Sequence, residues 1–244
     1  MMKKNSGKSK RILFLHMPKC AGTSMRMVLK EAVKSGCIGY KSLVLEYKSI
    51  FCYLPEKDRY EELSKYLHNP KQIDCGQIIF GHFMPITYLG NLDFKTHDIT
   101  LITFLRDPLR RLISHYLFWK YVCTDNHYLR LRMVGNNWTF YQFAMCDEMR
   151  NFYSQYFFQV PIHRFNYIGI HENCQEGWSK VSQFLFGKEV ELPYKNSLSD
   201  YKHIINEEIN LSEEERAEII DFHSQDYFLY KEAKVLSKST VELN

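Results

Sequence analysis

The sequence predicts an α/β fold of three layers, in which a central parallel β-sheet is flanked by helices and followed by a C-terminal helical segment. Short, nearly continuous apolar runs, typical of strands buried on both faces, alternate with longer stretches whose apolar residues recur at helical spacing. This alternation favours a parallel sheet, because parallel strands are usually joined by a helix. No internal repeat or low-complexity linker divides the chain. Residues 11–244 are therefore expected to form one domain behind a disordered basic tail, residues 1–10.

A strand, a tight loop and a helix are predicted at the start of this domain. Arg11–His16 (RILFLH) is a short apolar run of the kind that forms a buried parallel strand, and residues 17–22 are expected to form a turn. Residues 23–35 carry apolar side chains at helical spacing, and Gly36 provides a C-terminal stop. The loop between strand and helix is therefore short and rich in small residues.

The remaining elements follow the same patterns along the chain. Residues 40–54 mix aromatic and apolar side chains and predict either a strand or a loop on the substrate side of the sheet. Further core strands are predicted at residues 78–80, 98–105 and 166–170. Helices are predicted at residues 55–68, after Pro108, within 138–158, at 175–186, and from a capping-box start at Ser212 to about residue 235. Polar segments at residues 123–137 and 188–210 are predicted to be irregular.

Composition limits the classes of function that this chain can have. The net charge is +4 and the isoelectric point is near 8.5. This balance suits an anionic cofactor or acceptor but is too mild for a dedicated nucleic-acid binder. Aromatic residues make up 15% of the chain; most are expected in the core, and others to line a groove for a nucleotide or a sugar. We therefore expect no nucleic-acid partner.

Cysteine content and hydropathy indicate a reducing compartment. The seven cysteines are odd in number and no pair has CxxC spacing, so neither a disulfide framework nor a zinc site is expected. The apolar runs at residues 12–15 and 99–105 are too short to span a membrane. The N-terminal basic run is followed by only a short apolar segment, which is not typical of a signal peptide. We expect a cytoplasmic protein without a transmembrane segment.

Residues 16–24 (HMPKCAGTS) combine the features of a phosphate-binding loop. A strand that ends in a small-residue turn and opens a helix aims backbone N–H groups and the positive end of the helix dipole at one point. The two small residues let an anion approach the backbone, the two hydroxyls can donate from the first helical turn, and the lysine adds a full positive charge. The predicted anion contacts are Lys19, Ala21, Gly22, Thr23 and Ser24. The alternative is an ordinary strand–helix connection with a capping threonine.

The loop is P-loop-like in its architecture, but it is not a Walker A loop. GxxxxGK[ST] places Lys directly before the Ser or Thr whose hydroxyl binds magnesium. Lys19 instead precedes the small residues, and no glycine stands four or five positions ahead of it. This displacement favours a shorter anion bound without a metal.

A second anion site is predicted where the strand at residues 98–105 runs into a turn and a helix. Arg106 stands at the carboxyl end of this strand, where ligands bind in open α/β sheets, and Pro108 suits the first helical turn. Ser114 follows Arg106 by eight residues, about two helical turns, so the guanidinium and the hydroxyl can converge on one phosphate. Asp107 is expected to buttress the turn. The alternative is that Arg106 pairs with a nearby carboxylate.

These two segments resemble the sulfotransferases that depend on 3'-phosphoadenosine 5'-phosphosulfate (PAPS). Residues 14–24 resemble the hIPKTGGTS-like 5'-phosphosulfate loop of the branch containing the heparan and uronyl 2-O-sulfotransferases and related carbohydrate and bacterial enzymes, with departures at Cys20 and Ala21. Residues 104–116 match that family's 3'-phosphate motif, RDPxxRxxSxY. The resemblance implies a single sulfotransferase domain that uses PAPS as co-substrate, releases PAP and requires no metal. It also implies that Lys19 touches the phosphosulfate and stabilises the leaving oxygen.

The implied reaction needs a base that removes a proton from the acceptor hydroxyl, and histidine suits this role near neutral pH. Among the ten histidines, His82 follows Gly81 at the end of a predicted core strand. This GH segment also resembles the one that carries the catalytic histidine in the 2-O-sulfotransferase branch. We interpret Lys19 and His82 as the catalytic residues. His16 is expected to be a structural contact, and His115 is expected to face the acceptor.

Two other functions stay open at this point. An atypical P-loop kinase would need a magnesium-binding hydroxyl after its lysine and a Walker B carboxylate at the end of a strand, and no apolar run ends in a convincing metal-binding aspartate. A non-catalytic nucleotide-binding protein would bind PAP without turnover. For the sulfotransferase, the acceptor is expected to be a hydroxyl on a carbohydrate or glycoconjugate.

Overall fold

The computed structural model describes residues 11–36, 40–47, 56–90, 98–193, 198–201, 203–205 and 207–239. The predicted basic tail, residues 1–10, lies outside the described residues. Within the described ranges the α/β prediction is confirmed, because five parallel strands form one central sheet and helices flank it.

The sheet has the strand order β2-β3-β1-β4-β5, and every neighbouring pair runs parallel. The strands are β1 (Arg11–His16), β2 (Ser42–Glu46), β3 (Gln77–Gly81), β4 (Ile99–Leu105) and β5 (Tyr167–Ile170). Each strand predicted from an apolar run is present, and the segment left between strand and loop contains β2. Because all strands are parallel, their carboxyl ends meet at one edge of the sheet.

An aromatic layer crosses the three central strands. Residues 12–15 of β1 are fully buried, as expected of a strand with neighbours on both sides and both faces covered. The Phe14 ring lies edge-on to Phe80 of β3, with centroids 5.1 Å apart, and is stacked with Phe104 of β4 at 6.0 Å. Such pairs stabilise a core by about 0.5–1.5 kcal/mol beyond the burial of their area. This layer packs across β3, β1 and β4, whose parallel register brings their carboxyl ends to the same edge of the sheet.

Ten α-helices surround the sheet in the described part of the chain. They are α1 (Gly22–Lys34), α2 (Glu56–His68), α3 (Ile86–Leu89), α4 (Pro108–Tyr121), α5 (Tyr128–Gly135), α6 (Phe140–Ala144), α7 (Phe152–Tyr156), α8 (Cys174–Phe186), α9 (Glu213–Phe222) and α10 (Ser224–Ser239). The helices predicted at residues 23–35, 55–68 and 175–186 correspond to α1, α2 and α8. The helix predicted after Pro108 is α4, which begins at that residue.

The prediction that residues 123–137 are irregular is wrong in part, because α5 lies within them. This helix buries Leu129 and Met133, which are four residues apart and therefore share one face. Two further apolar side chains of α5, Leu131 and Val134, are exposed. Apolar residues on both faces remove the amphipathic pattern from which a helix is predicted.

The C-terminal helical segment consists of two helices that meet at a buried histidine. The capping box at its start is confirmed: the Ser212 hydroxyl accepts the N–H of Glu215 at 3.0 Å, and the Glu215 carboxylate accepts the N–H of Ser212 at 2.9 Å. His223 separates α9 from α10, and its Nε2 lies 2.8 Å from the carbonyl oxygen of Ala144. This contact fixes the bend, so that α10 returns to pack against β5.

Membrane-spanning helices and metal-binding clusters are both absent from the residues given above. None of the helices there has the length and apolar character needed to cross a bilayer. No group of three or more His, Cys, Asp or Glu side chains in those ranges is placed to hold a metal ion. The cysteines found unpaired are Cys20, Cys75, Cys123, Cys146 and Cys174.

Candidate functional site

A cavity of about 860 Å³ lies at the carboxyl edge of the sheet. Residues that follow all five strands contribute to its lining, which is the usual position of a ligand site in an open parallel sheet. Every site residue predicted from the sequence lines it, namely Lys19, Ala21, Gly22, Thr23, Ser24, His82, Arg106 and Ser114. The fold therefore brings the two predicted anion sites and the predicted base into one cavity.

The loop after β1 holds two non-glycine residues in the left-handed conformation. The φ angle is +69° at Lys19 and +60° at Ala21, a conformation that costs about 1–2 kcal/mol for a residue with a Cβ atom. Ala21 is the N-cap of α1, and its side chain forms no capping hydrogen bond. Gly22 lies against the His16 ring, and a Cβ atom there would overlap three ring atoms. This strained, closely packed turn aims the positive end of α1 at the cavity, where it favours an anion.

Lys19 supplies a full positive charge beside this helix N-terminus. Its Nζ lies 3.7 Å from the centroid of the Phe118 ring. Among the described residues no carboxylate forms an ion pair with it. Burial, followed by the nearby charge of Arg106, lowers the pKa of Lys19 to about 8. An anion bound here would favour the charged amine and reverse that shift.

Arg106 reaches the same cavity from the end of β4. Its Nη1 donates a hydrogen bond to the carbonyl oxygen of Lys19 at 3.3 Å. Its Nε is buried and has no hydrogen-bond partner among the described residues, and no described carboxylate pairs with the guanidinium. A buried donor left unsatisfied costs about 1–3 kcal/mol. An anionic acceptor in the cavity would remove that cost.

Hydrogen bonds to the backbone hold the turn that carries Arg106. The Tyr153 hydroxyl donates to the carbonyl oxygen of Arg106 at 2.6 Å and accepts its N–H at 3.2 Å. Asp107 accepts the N–H of Arg110 at 3.0 Å, which caps α4, and donates its own N–H to Glu172 at 3.1 Å. The expectation that Asp107 buttresses the turn is confirmed. Glu172 follows β5, so the turn after β4 is tied to the neighbouring strand.

Ser114 and His115 extend the site along α4. Ser114 is buried and lines the cavity with Arg106. The Nδ1 of His115 lies 3.4 Å from Nη1 of Arg111. Because a guanidinium can only donate, this Nδ1 accepts, and the proton of the neutral ring is on Nε2. Burial, and next the charge of Arg111, holds the pKa of His115 well below its usual value. His115 is therefore a neutral N–H donor.

His82 follows directly after β3. Because β3 and β4 are on opposite sides of β1, His82 lies across β1 from Arg106. Its Nε2 is 3.1 Å from Nδ1 of His16, and the Tyr47 ring lies edge-on to it with centroids 5.2 Å apart. Burial, followed by the charges of Arg26 and Lys19, lowers the pKa of His82 to about 4. The ring is neutral near pH 7 and has a lone pair to accept a proton. His16 was expected to be a structural contact, and the structure shows that its contact is a hydrogen bond to His82.

Comparisons with known proteins give two distant likenesses. No protein-family model matches the sequence. The chain is 23% identical over 151 residues to the larval serum protein 1 gamma chain of Drosophila melanogaster, which covers 61% of this chain and 17% of that protein. The structure of the present chain is similar to that of a mouse sulfotransferase complexed with PAP, with a TM-score of 0.34 and 12% sequence identity. The match covers 88% of this chain and 64% of the mouse chain. The chain thus spans less than two thirds of either protein, and neither likeness assigns a family.

Several residues at or beside the site were given no individual role from the sequence. Arg26 and Tyr47 line the cavity beside His82. A place at the cavity could have been predicted for both from their positions. Arg26 lies four residues after Gly22 and so shares its face of α1, and Tyr47 directly follows the carboxyl end of β2. Tyr153 and Glu172 contact the turn after β4 from 47 and 65 residues away. No spacing rule predicts such contacts, because they depend on how distant elements pack.

Proposed function

We propose that the protein is a PAPS-dependent sulfotransferase that moves a sulfuryl group onto an acceptor hydroxyl. The observation that carries this proposal is the convergence of Lys19, Arg106 and the N-terminus of α1 on one cavity. Neither cation is neutralised by a described carboxylate, so the cavity holds both positive charges, and they lie near enough for the charge of Arg106 to lower the pKa of Lys19. Charges arranged in this way suit a ligand with more than one anionic group.

PAPS carries anionic groups at two positions of one nucleoside. In the proposal its 5'-phosphosulfate lies at the N-terminus of α1, and its 3'-phosphate lies between Arg106 and Ser114. The contacts assigned to the 5'-phosphosulfate are Lys19, Ala21, Gly22, Thr23 and Ser24. The buried Nε of Arg106 supports this arrangement, because a 3'-phosphate oxygen would accept its hydrogen bond. ATP has no 3'-phosphate and would leave that donor unsatisfied.

The transfer is an in-line displacement at sulfur. The acceptor oxygen forms a bond to sulfur while the bond from sulfur to the 5'-phosphate oxygen breaks, and that electron pair stays on PAP. Lys19 and the backbone donors at α1 stabilise the charge on the leaving oxygen. His82 takes the proton of the acceptor hydroxyl. The proposed step includes no metal ion.

The proposed acceptor is a sugar hydroxyl in a carbohydrate or glycoconjugate. Four aromatic side chains line the cavity, namely Tyr47, Phe118, Trp119 and Tyr156. Of these, Tyr47 is exposed and offers a flat apolar surface to a sugar ring. The net charge of +4 suits an acidic glycan. These features favour the heparan and uronyl 2-O-sulfotransferase-like branch, whose motifs the sequence resembles. We propose a cytoplasmic location, because the five cysteines found unpaired are typical of a reducing compartment.

Titration calorimetry with PAP, followed by an acceptor screen with radiolabelled PAPS, tests the function. We expect PAP to bind and Arg106→Ala to weaken it by about 1.5–3 kcal/mol, roughly 10- to 150-fold, the value of a hydrogen bond to a charged group. Adenosine 5'-phosphosulfate lacks the 3'-phosphate and should be weakened far less. Arg216→Ala, an exposed change on α9, is the matched control. Equal weakening of both nucleotides would refute the role assigned to Arg106.

The same measurements distinguish the two other functions. Magnesium-dependent ATP hydrolysis without PAP binding would overturn the proposal in favour of an atypical P-loop kinase. PAP binding without transfer to any acceptor would favour a non-catalytic nucleotide-binding protein. Lys19→Ala should abolish transfer while the fold survives; Lys30→Ala, an exposed change on α1, is its control.

A further inference from the structure

Two histidines lie side by side where β1 and β3 end. In the parallel register Leu15 is opposite Gly81, so the next residues, His16 and His82, are at the same level of the sheet. Their rings are 4.7 Å apart between centroids, and Nδ1 of His16 lies 3.1 Å from Nε2 of His82. This is a hydrogen bond between the two imidazoles.

The packing around His16 fixes the orientation of its ring. One face is stacked on Phe80, with centroids 5.4 Å apart and planes 11° from parallel. The Nε2 edge lies against Gly22, where there is no room for a Cβ atom. The opposite edge, with Nδ1, meets His82. A ring held on three sides presents one nitrogen to its neighbour and cannot easily turn away.

The backbone that carries His82 is fixed in a similar way. Gly81 has a φ of +152°, a value that few other residues adopt, and a Cβ atom there would collide with the backbone oxygen of Glu46 on β2. This close approach to β2 directs the following side chain toward β1. When Nε2 of His82 is the donor in its hydrogen bond to His16, Nδ1 of His82 is bare and can accept a proton from another molecule.

Both rings are neutral near pH 7. Burial, followed by the neighbouring His82, holds the pKa of His16 well below its usual value, and the pKa of His82 is about 4 for the reasons given above. The groups that face His82 are His16 from β1, Lys19 from the loop, Arg26 from α1, Tyr47 after β2 and His115 from α4. None of these is an anion near pH 7. Protonation of His82 therefore needs a hydrogen-bond acceptor to stabilise it.

We propose that His16 is that acceptor: it is a positioning residue that binds Nε2–H of His82, leaves Nδ1 of His82 bare as the base, and stabilises the imidazolium formed in the reaction. The catalytic part of this inference rests on the proposed function. As the acceptor oxygen bonds to sulfur and the sulfur–oxygen bond to PAP breaks, the acceptor proton moves to Nδ1 of His82. The hydrogen bond to neutral His16 then becomes charge-assisted and roughly twice as strong. The proton leaves to solvent after the products separate.

Binding of the donor strengthens this base. Burial is the main reason that the pKa of His82 is low, and the charges of Arg26 and Lys19 lower it further. Phosphate oxygens placed beside Lys19 would offset these charges, so we expect PAPS to raise the pKa of His82. The base is thereby activated when the donor is in place, which limits proton uptake by an empty site.

Nitrogen-15 NMR of the histidine side chains tests the arrangement without any activity. We expect His82 to carry its proton on Nε2 with Nδ1 bare, and His16 to have Nδ1 bare, in the free protein and with PAP. The opposite tautomer, with the proton of His82 on Nδ1, would overturn the inference. An upward shift of the His82 pKa on addition of PAP supports it, and a downward shift contradicts it.

Two substitutions of His16 then separate hydrogen bonding from packing. His16→Phe keeps a ring on Phe80 but removes the acceptor, whereas His16→Asn keeps an acceptor near the position of Nδ1. We expect His16→Phe to lower kcat by about 10- to 100-fold and to move the acidic limb of its pH profile, with KM for PAPS and PAP affinity unchanged. His16→Asn should recover most of kcat. His68→Phe, at the exposed end of α2, is the control.

The outcomes separate this inference from the proposed function. If wild-type protein neither binds PAP nor uses PAPS, the function fails, and the tautomers measured by NMR still decide whether the histidine pair is arranged as proposed. If wild type is active but His16→Phe and His16→Asn lose kcat equally, His16 acts only through packing and the inference is wrong. It is also wrong if His16→Phe weakens PAP binding as much as it lowers kcat.

Discussion

Replacing Gly22 by Ala should destabilise this protein, although Ala is the better helix former. Gly22 is the first residue of α1, where Ala would gain at most about 1 kcal/mol of helix propensity. The Cβ atom of the introduced alanine would overlap three atoms of the His16 ring. That ring is stacked on Phe80 at 5.4 Å and bonded to His82 at 3.1 Å, so it cannot move aside without losing those contacts.

The magnitude follows from these contacts. Overpacking a filled site costs about 1–3 kcal/mol, and loss of the hydrogen bond between His16 and His82 adds about 0.5–1.5 kcal/mol. After the helix propensity is subtracted, about 2 kcal/mol of net destabilisation is the central value. For a protein of this size this corresponds to a decrease in Tm of roughly 4–8 °C.

Urea denaturation of a double-mutant cycle checks this reasoning. In the background of His16→Ala the overlap is gone, so Gly22→Ala should be neutral or raise the free energy of unfolding by up to about 1 kcal/mol. The loss of stability caused by Gly22→Ala should therefore disappear, or become a gain, in the His16→Ala background. An equal loss of stability in both backgrounds would refute the idea that Gly22 exists to make room for His16.

Two further predictions concern the cationic residues of the cavity. Lys19 must be charged to hold an anion, and since its pKa is lowered to about 8 in the free protein, PAP affinity should fall as pH rises through this value; calorimetry should show that Lys19→Met removes most of this pH dependence. Tyr153→Phe removes the hydroxyl that holds the Arg106 backbone, and urea denaturation should show a loss of about 1–3 kcal/mol together with weaker PAP binding. Unchanged stability in Tyr153→Phe would contradict the role given to this hydroxyl.

Most of the secondary structure could be predicted from local patterns. The strands β1, β3, β4 and β5 are continuous apolar runs because both faces of a parallel sheet are covered, and that property is visible without knowing which strands are neighbours. The start of α9 was predicted from Ser212 because a capping box is a contact between residues three positions apart. The helix α5 was missed because apolar side chains lie on both its buried and its exposed faces.

For the candidate site, the individual residues were predicted from the sequence, but the contacts between them were not. Lys19 and Arg106 each follow a strand, so a position at the carboxyl edge could be predicted for both. Their direct contact could not, since Nη1 of Arg106 meets the carbonyl oxygen of Lys19 across 87 residues. The hydroxyl of Tyr153 and the carboxylate of Glu172, which hold the turn at Arg106, come from still later segments.

Local sequence patterns show which residue types stand at the ends of the strands: a lysine with small and hydroxyl residues, a histidine after a glycine, and an arginine before a helix. Which of these side chains contact one another depends on the order of the strands in the sheet. The order β2-β3-β1-β4-β5 places the loop of β1 between the ends of β3 and β4. It therefore pairs His16 with His82 on one side and Lys19 with Arg106 on the other. Local patterns report which segments are buried, but strand order results from packing among distant segments, and that packing puts both pairs in one cavity.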